Sequence, residues 1–499
     1  MTLGLIGIVL SLALLITLAY RGMSIIIAAP LCALVAVLFS GAPVLVNYTD
    51  TFMPALANFV AQYFPLFLTG AIFGKLMTVT GYATDLATFI TRWVGPKRAM
   101  LATVLTTALL TYGGISVFVV VFVMFPLARE LFRQAGIPRR LIPGAIAHGM
   151  LTFTMTALPG SPQVQNIIPG QSFETNTFAA PGLGLLGGTV IFILGMVWLE
   201  ARKRKLLAAG ESFWDPTVQE RQSGLVPAGR QRPAGGAAGT KGPGAATPTA
   251  PPLRPAAAEE EASSAAPLAP PNHAVPFIPI ALVFIINFGC TMWLFPAMDW
   301  GYLEEYETSL GARGGVWAVL CAMVGAIVSI LLLNIGNLRR IGSSLAQGAR
   351  ESLMPIFNTA SEVGYGAVIA SLAAFMVIRD GIFALSENAL VTSAVSTSVI
   401  AGVTGSASGG MTIALNALGE DLRAMALDQG ISLEVMHRIT AMASGGLDSM
   451  PHNGAVITLL LVCGMTHRES YKDVGVVTLA IPVLVTAALI PLVLSLGAF

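Results

Sequence analysis

The residues best equipped for chemistry in this 499-residue sequence sit where polar groups are costly. Asp448, Ser449, His452 and Asn453 fall in one run, Ala443-Ser444-Gly445-Gly446-Leu447-Asp448-Ser449-Met450-Pro451-His452-Asn453-Gly454, between two apolar stretches. Hydrocarbon satisfies none of those groups, so protein, an ion or a substrate must. A carboxylate there has to be neutralised by a proton or a cation, which makes Asp448 a candidate for ion coupling; a helix cap is its structural alternative. Glu362, in Thr359-Ala360-Ser361-Glu362-Val363-Gly364, is a second candidate. Histidine changes charge near neutral pH, so His452 can exchange a proton or donate to a substrate. Ser406 or Ser408 with His452 would imitate a nucleophile and its base, the chemistry of an intramembrane hydrolase. His148 reads as a core histidine, and His437 and His467, near loops, as chemically idle.

The elements that must position these residues are membrane helices. Hydrophobic residues make up 55% of the chain and charged ones only 11%, with a mean hydropathy of +0.76. Apolar runs of about 18–25 residues match a bilayer core. Cys32, Cys290, Cys321 and Cys463 have no paired spacing and read as buried free thiols, with no metal or disulfide framework. The first apolar stretch lacks a basic lead and is followed by Arg21, so a retained helix is expected rather than a cleaved signal. Spans are expected near 3–20, 24–41, 54–79 and 179–200, then near 274–297, 315–335, 352–378 and 474–497, with a short amphipathic piece at 83–94. The stretches 98–133 and 387–425 are too long and too interrupted for one span. Their breaks at Thr111-Tyr112-Gly113-Gly114-Ile115-Ser116 and Thr404-Gly405-Ser406-Ala407-Ser408-Gly409-Gly410 predict re-entrant hairpins. Pro159-Gly160-Ser161-Pro162 and Ser449-Met450-Pro451 predict broken helices within 139–178 and 433–463.

Residues 1–205 and 273–499 repeat one pattern, joined by 206–272, an Ala-, Pro- and Gly-rich stretch expected to be a disordered cytoplasmic linker. Pro65-Leu66-Phe67 parallels Pro355-Ile356-Phe357. Gly113-Gly114-Ile115-Ser116 parallels Gly409-Gly410-Met411-Thr412, Gly136-Ile137 parallels Gly430-Ile431, and Pro159 parallels Pro451. The expected fold is an all-α polytopic membrane protein: inverted repeats of five transmembrane helices plus one re-entrant hairpin each, with broken helices at a central site. With both termini periplasmic, most of the Lys and Arg residues flanking the spans face the cytoplasm, while loop 298–314 carries Asp299, Glu304, Glu305 and Glu307 against Arg313. Arg379 and Arg438 fall on the outer side and count against that orientation.

New helix starts near mid-membrane expose unpaired N–H groups, which are anion sites. The candidates lie at Gly113, Gly114 and Ser116, at Gly160 and Ser161, at Gly409 and Thr412, and at Asn453 and Gly454. Thr111, Gln163, Asn166, Thr404, Ser406, Ser408 and Ser449 would read the rest of a substrate, or else simply allow close helix packing. No Lys or Arg occurs in these four stretches.

The run from Ala443 to Ile457 resembles the hallmark of the gluconate permease (GntP) family, as do Cys463-Gly464-Met465-Thr466-His467-Arg468-Glu469-Ser470-Tyr471-Lys472-Asp473 and Pro159-Gly160-Ser161-Pro162-Gln163-Val164-Gln165-Asn166. The long linker departs from that family's compact pattern. The resemblance implies a symporter in the bacterial inner membrane for small organic acids such as gluconate, 3-hydroxybutyrate, D-serine or citrate. It implies kinship with carriers that move hairpins and broken helices as a transport domain. The expected partners are the organic acid, a coupled H+ with Na+ as the alternative, the lipid bilayer and a second copy in a homodimer; neither nucleic acid nor a cofactor is expected, and no enzymatic activity. A channel is the remaining alternative.

Overall fold

A computed structural model describes residues 2–21, 23–95, 98–215, 274–306 and 308–496. All regular elements among them are helical. The first half comprises α1 (Thr2–Tyr20), α2 (Ile25–Ser40), α3 (Met53–Val79), α4 (Tyr82–Val94), α5 (Ala99–Tyr112), α6 (Val117–Ala135), α7 (Ile142–Met150), α8 (Ile168–Phe173) and α9 (Pro181–Ala208). The second comprises α10 (Phe277–Gly289), α11 (Leu310–Leu333), α12 (Leu338–Glu351), α13 (Leu353–Ser371), α14 (Phe375–Leu385), α15 (Ala389–Thr404), α16 (Ala407–Asp428), α17 (Leu433–Ser444), α18 (Gly454–Val462), α19 (His467–Gly475) and α20 (Ile481–Leu496). This is the architecture of a polytopic helical membrane protein.

Five described helical stretches are long and apolar enough to cross a membrane alone: Val44–Val79, Pro181–Ala208, Phe277–Leu294, Leu310–Leu333 and His467–Ser495. A sixth, Ile341–Ser371 with Phe375–Leu385, bends by 91° at Leu372–Ala374, so the span expected over 352–378 is not one continuous helix. Helices α1, α2, α5 and α15 are apolar but shorter. The linker expected over 206–272 lies outside the described residues except for its first ten. In those, α9 runs on to Ala208 and Phe213 is buried beneath the Arg139 guanidinium, 5.5 Å from the ring centre. Of the four free cysteines, Cys32, Cys290 and Cys463 are buried as expected, whereas Cys321 is exposed.

The sequence breaks fall where glycine and proline place them. α5 stops at Gly113, and Gly114 takes φ +92, which bulkier residues resist. The chain then re-enters a helix at Val117, and the two arms α5 and α6 pack against each other. Gly405, at φ +67, ends α15 in the same way before α16 packs back upon it. The arms of this second pair touch backbone to backbone, since a Cβ on Gly410 would overlap Ala401 N and Cα. In lipid, such close approach of small residues supplies much of the packing energy. Gly410→Ala is therefore expected to part the arms and cost roughly 1–3 kcal/mol, read as a lower unfolding temperature of the detergent-solubilised protein.

The halves interlock. α13 packs on both α2 and α3, and α11 and α12 pack on α3. α7 packs on α5, and α17 on α15. The second arms cross over: α8 lies against α16, and α18 against α6. The helices around the breaks thus pack together with members from each half.

Candidate functional site

The first break and the first turn are built as a unit. Gln163 Nε2 donates to the Thr111 carbonyl at 2.7 Å, and the Tyr112 hydroxyl donates to the Pro159 carbonyl at 2.7 Å. A Cβ on Gly114 would stand 2.8 Å from Met323 Sδ and 3.2 Å from Pro162 Cγ, so the turn tolerates no side chain there. At the break, Gly160 takes φ +74 against the Phe178 ring, and its N–H donates to the Thr177 carbonyl at 2.8 Å. Asn287 Nδ2 donates to the Gly160 carbonyl at 3.0 Å. The Ser161 hydroxyl donates to the Thr154 carbonyl at 2.7 Å, and Asn166 Nδ2 donates to the carbonyls of Ser161 and Thr177, both at 2.9 Å. No helix starts at Gly160 or Ser161. A single 3₁₀ turn follows at Val164–Asn166, so the N–H array expected at that point is replaced by a hydrogen-bonded loop.

The second break repeats the tie. Asn453 Nδ2 donates to the Gly405 carbonyl at 2.9 Å, while its Oδ1 accepts from Val456 N at 2.8 Å and caps α18. Ser406 caps α16, accepting from Gly409 N at 3.1 Å. Asp448 lies in the 3₁₀ turn Leu447–Ser449, where the Ser449 hydroxyl donates to its Oδ1 at 3.1 Å. The Tyr471 hydroxyl holds the Ser449 carbonyl at 3.0 Å, and His467 Nε2 lies 2.8 Å from the Pro451 carbonyl. His467, expected to be idle, therefore braces the break.

Two ionisable residues flank the second turn, and a third lies next in sequence to a residue packed on α15. His452 lies on Gly405, where a Cβ would stand 2.7 Å from its Cδ2. Glu362, on α13, presses on the other side, where a Cβ on Gly409 would overlap its Oε2. Leu447, beside Asp448, abuts Gly402 one turn back along α15. Glu362, Asp448 and His452 are buried, at 6%, 2% and 7% exposure. Among the described residues, Glu362 Oε2 has no hydrogen-bond partner. The two breaks meet where Thr156 abuts Gly445.

The hydroxyls expected to read a substrate are engaged locally. Thr111 donates to Thr107 O at 2.9 Å, Thr404 to Ile400 O at 2.9 Å and Thr412 to Ser408 O at 2.8 Å. Their lone pairs remain as acceptors. No side chain caps α6 at Ser116, and Gly454 at the start of α18 is exposed with open space beside it. α6 and α18 pack on each other, so these two starts belong to neighbouring helices.

Arg438, counted in the sequence only as a charge on the outer side, is fully buried within the protein. Its Nε and one terminal nitrogen donate to the Ala179 carbonyl at 3.1 and 2.8 Å, that same nitrogen to the Thr177 carbonyl at 3.2 Å, and the other to Asn166 Oδ1 at 2.7 Å. It clamps α17 of the second half to the first break. The signal was present: the rule that singled out Asp448, an ionisable group in an apolar helical run, applies equally to Arg438. His437 beside it is buried too, its Nδ1 2.7 Å from the Thr175 hydroxyl. His148 is the core histidine expected, its Nε2 3.2 Å from the Phe192 carbonyl and its ring against Gly195.

No family model matches the chain. Over 484 residues it is 42% identical to a protein of Bacillus subtilis (strain 168) named Uncharacterized transporter YxjC, with 95% of this chain and 96% of that protein aligned.

Proposed function

The chain belongs to the transporter family of that Bacillus subtilis protein, and from this premise we propose that it is a secondary active symporter importing a small organic acid with protons. The substrate is gluconate or a short hydroxycarboxylate such as 3-hydroxybutyrate, in keeping with the resemblance of the Ser444–Gly454 run to the gluconate permeases. One observation carries the reading: each broken helix holds a turn, through Gln163 to Thr111 and through Asn453 to Gly405, with buried Asp448 and Glu362 alongside. A soluble or purely structural helix bundle has no use for paired breaks of this kind inside hydrocarbon.

In this reading the substrate carboxylate is met by backbone N–H groups at Ser116 and Gly454, beside Gly113 and Gly114. Thr111, Gly160, Ser161, Gln163, Thr404, Ser406, Ser408, Gly409, Thr412, Ser449 and Asn453 shape and line the site. Asp448 carries the coupled proton, with Glu362 and His452 as relays; sodium is the alternative ion. The two halves are inverted repeats. The bend after α13 supports this, because α14 follows α13 as α4 follows α3. Alternating access is an elevator movement of α5–α8 and α15–α18 against the remaining helices, which also form the homodimer surface. The protein lies in the bacterial inner membrane with both termini periplasmic.

Counterflow tests this reading. Liposomes loaded with unlabelled gluconate or 3-hydroxybutyrate are expected to accumulate the labelled acid transiently from outside. A channel would only equilibrate the label, and a hydrolase would release a product; either result overturns the proposal.

A further inference from the structure

Away from the breaks, a cavity of about 530 Å³ opens between α3, α8 and the start of α11. It is lined by Gln62, Gln171, Glu304, Thr308, Ser309 and Arg313. That volume lies in the range of ~300–1,000 Å³ typical of small-molecule sites. Gln62 donates to Gln171, joining α3 to α8, and α8 in turn packs on α16 and α17, the helices that carry the second turn and Arg438. The cavity therefore adjoins the helices that hold the breaks.

Its charges are set apart. The Arg313 guanidinium makes no ion pair or hydrogen bond among the described residues. The nearby Glu174, which stands against Gly311, is already held by Arg423 through two bonds of 2.8 Å. Glu304 is exposed in the 3₁₀ helix Gly301–Tyr306, which precedes α11, and is not paired with Arg313 among the described residues. An unpaired guanidinium offers a fork of donors matched to one carboxylate. The amides of Gln62 and Gln171 and the hydroxyl of Thr308 suit alcohol groups. Glu304 accepts from a hydroxyl but repels a second carboxylate, and Asp299 and Glu305 on the same loop add to that repulsion.

We propose that this cavity is an outer collecting site for hydroxylated monocarboxylates, in which Arg313 takes the carboxylate and Glu304 turns away di- and tricarboxylates. The site rests on the transport reading above and narrows its substrate class to acids with one carboxylate. Arg attraction at a solvent-facing mouth acts on capture and is weakened by salt.

In proteoliposomes, Arg313→Gln is expected to raise the KM for gluconate roughly tenfold at low ionic strength while leaving the maximal rate near that of the unsubstituted protein. Salt should raise the KM of the unsubstituted protein and barely move that of the variant, and Arg313→Lys should recover part of the loss. Glu304→Gln should make citrate an inhibitor of gluconate uptake where it was not one before. Gluconate uptake with an unchanged KM and unchanged salt response in Arg313→Gln overturns the collecting site and leaves the transport reading standing. A local measurement decides the matter even if no acid is transported. With Thr308→Cys in a Cys321→Ala background, gluconate should slow labelling by a membrane-impermeant maleimide, and citrate should not. Equal labelling with and without gluconate, or equal protection once Arg313→Gln is added, overturns the proposal.

Discussion

Asp448→Asn is expected to abolish proton-driven accumulation of the acid while counterflow of that acid persists. Asparagine has the size and shape of a protonated aspartic acid and retains an acceptor for the Ser449 hydroxyl, which donates to Asp448 Oδ1 at 3.1 Å. The 3₁₀ turn Leu447–Ser449 therefore stays built, and the protein should insert and fold normally. What is lost is the group that can carry or release a proton inside hydrocarbon. One pH unit sustains about tenfold accumulation per coupled proton, ~1.4 kcal/mol. The variant should bring inside and outside concentrations only to equality. If Asp448 were merely a cap, accumulation and counterflow would decline together, and the unfolding temperature with them. Normal accumulation by the variant removes Asp448 from the mechanism.

Arg438→Ala is expected to cause the largest stability loss of any single change around the breaks. The guanidinium is the common partner of the Ala179 and Thr177 carbonyls and of Asn166 Oδ1. Alanine strands the Ala179 carbonyl and Asn166 Oδ1 in a dry site, while the Thr177 carbonyl keeps the Gly160 N–H and Asn166 Nδ2, and it leaves a cavity between α17 and the first break. Each buried acceptor left unpaired costs ~1–3 kcal/mol, so a total of roughly 3–5 kcal/mol is expected. Released Asn166 would also stop holding the Ser161 carbonyl, so the first break should loosen. Thermal unfolding in detergent should show the loss. Arg438→Lys should restore only part of it, since an ammonium cannot span the same acceptors in one plane. An Arg438→Ala protein as stable as its parent would show that the clamp is dispensable.

The legible part of this molecule was its punctuation. Glycine, proline and small polar residues interrupt apolar runs at Gly113–Ser116, Pro159–Pro162, Thr404–Gly410 and Ser449–Gly454, and the helices stop near each of them. Those residue types carry their own backbone preferences, so position in sequence translates into position in structure. The bend at Leu372–Ala374 escaped because Leu-Ala-Ala is ordinary helix sequence, and tertiary packing rather than local preference breaks the chain there. Helix α12 escaped because the charged stretch between the spans expected at 315–335 and 352–378 has no long apolar run, whereas it forms an amphipathic helix packed on α3. The bonding role of Arg438 escaped because counting along a helix from its expected end cannot say whether a charge faces solvent or the protein interior. Ser161 and Asn166 looked like ligand groups. Their donors serve the loop, and Asn166 Oδ1 accepts from Arg438 of the other half, a pairing across more than two hundred residues that no local pattern encodes.

The most direct test of the central claim is uptake by purified protein in liposomes, with gluconate, 3-hydroxybutyrate, D-serine and citrate supplied in turn and ΔpH and Na+ gradients imposed separately. The account predicts that gluconate or 3-hydroxybutyrate accumulates above its outside concentration when the outside is acidic, that a protonophore collapses the gradient, and that a Na+ gradient alone does nothing. Accumulation driven by Na+ alone, or entry of every acid only to equality, would contradict it.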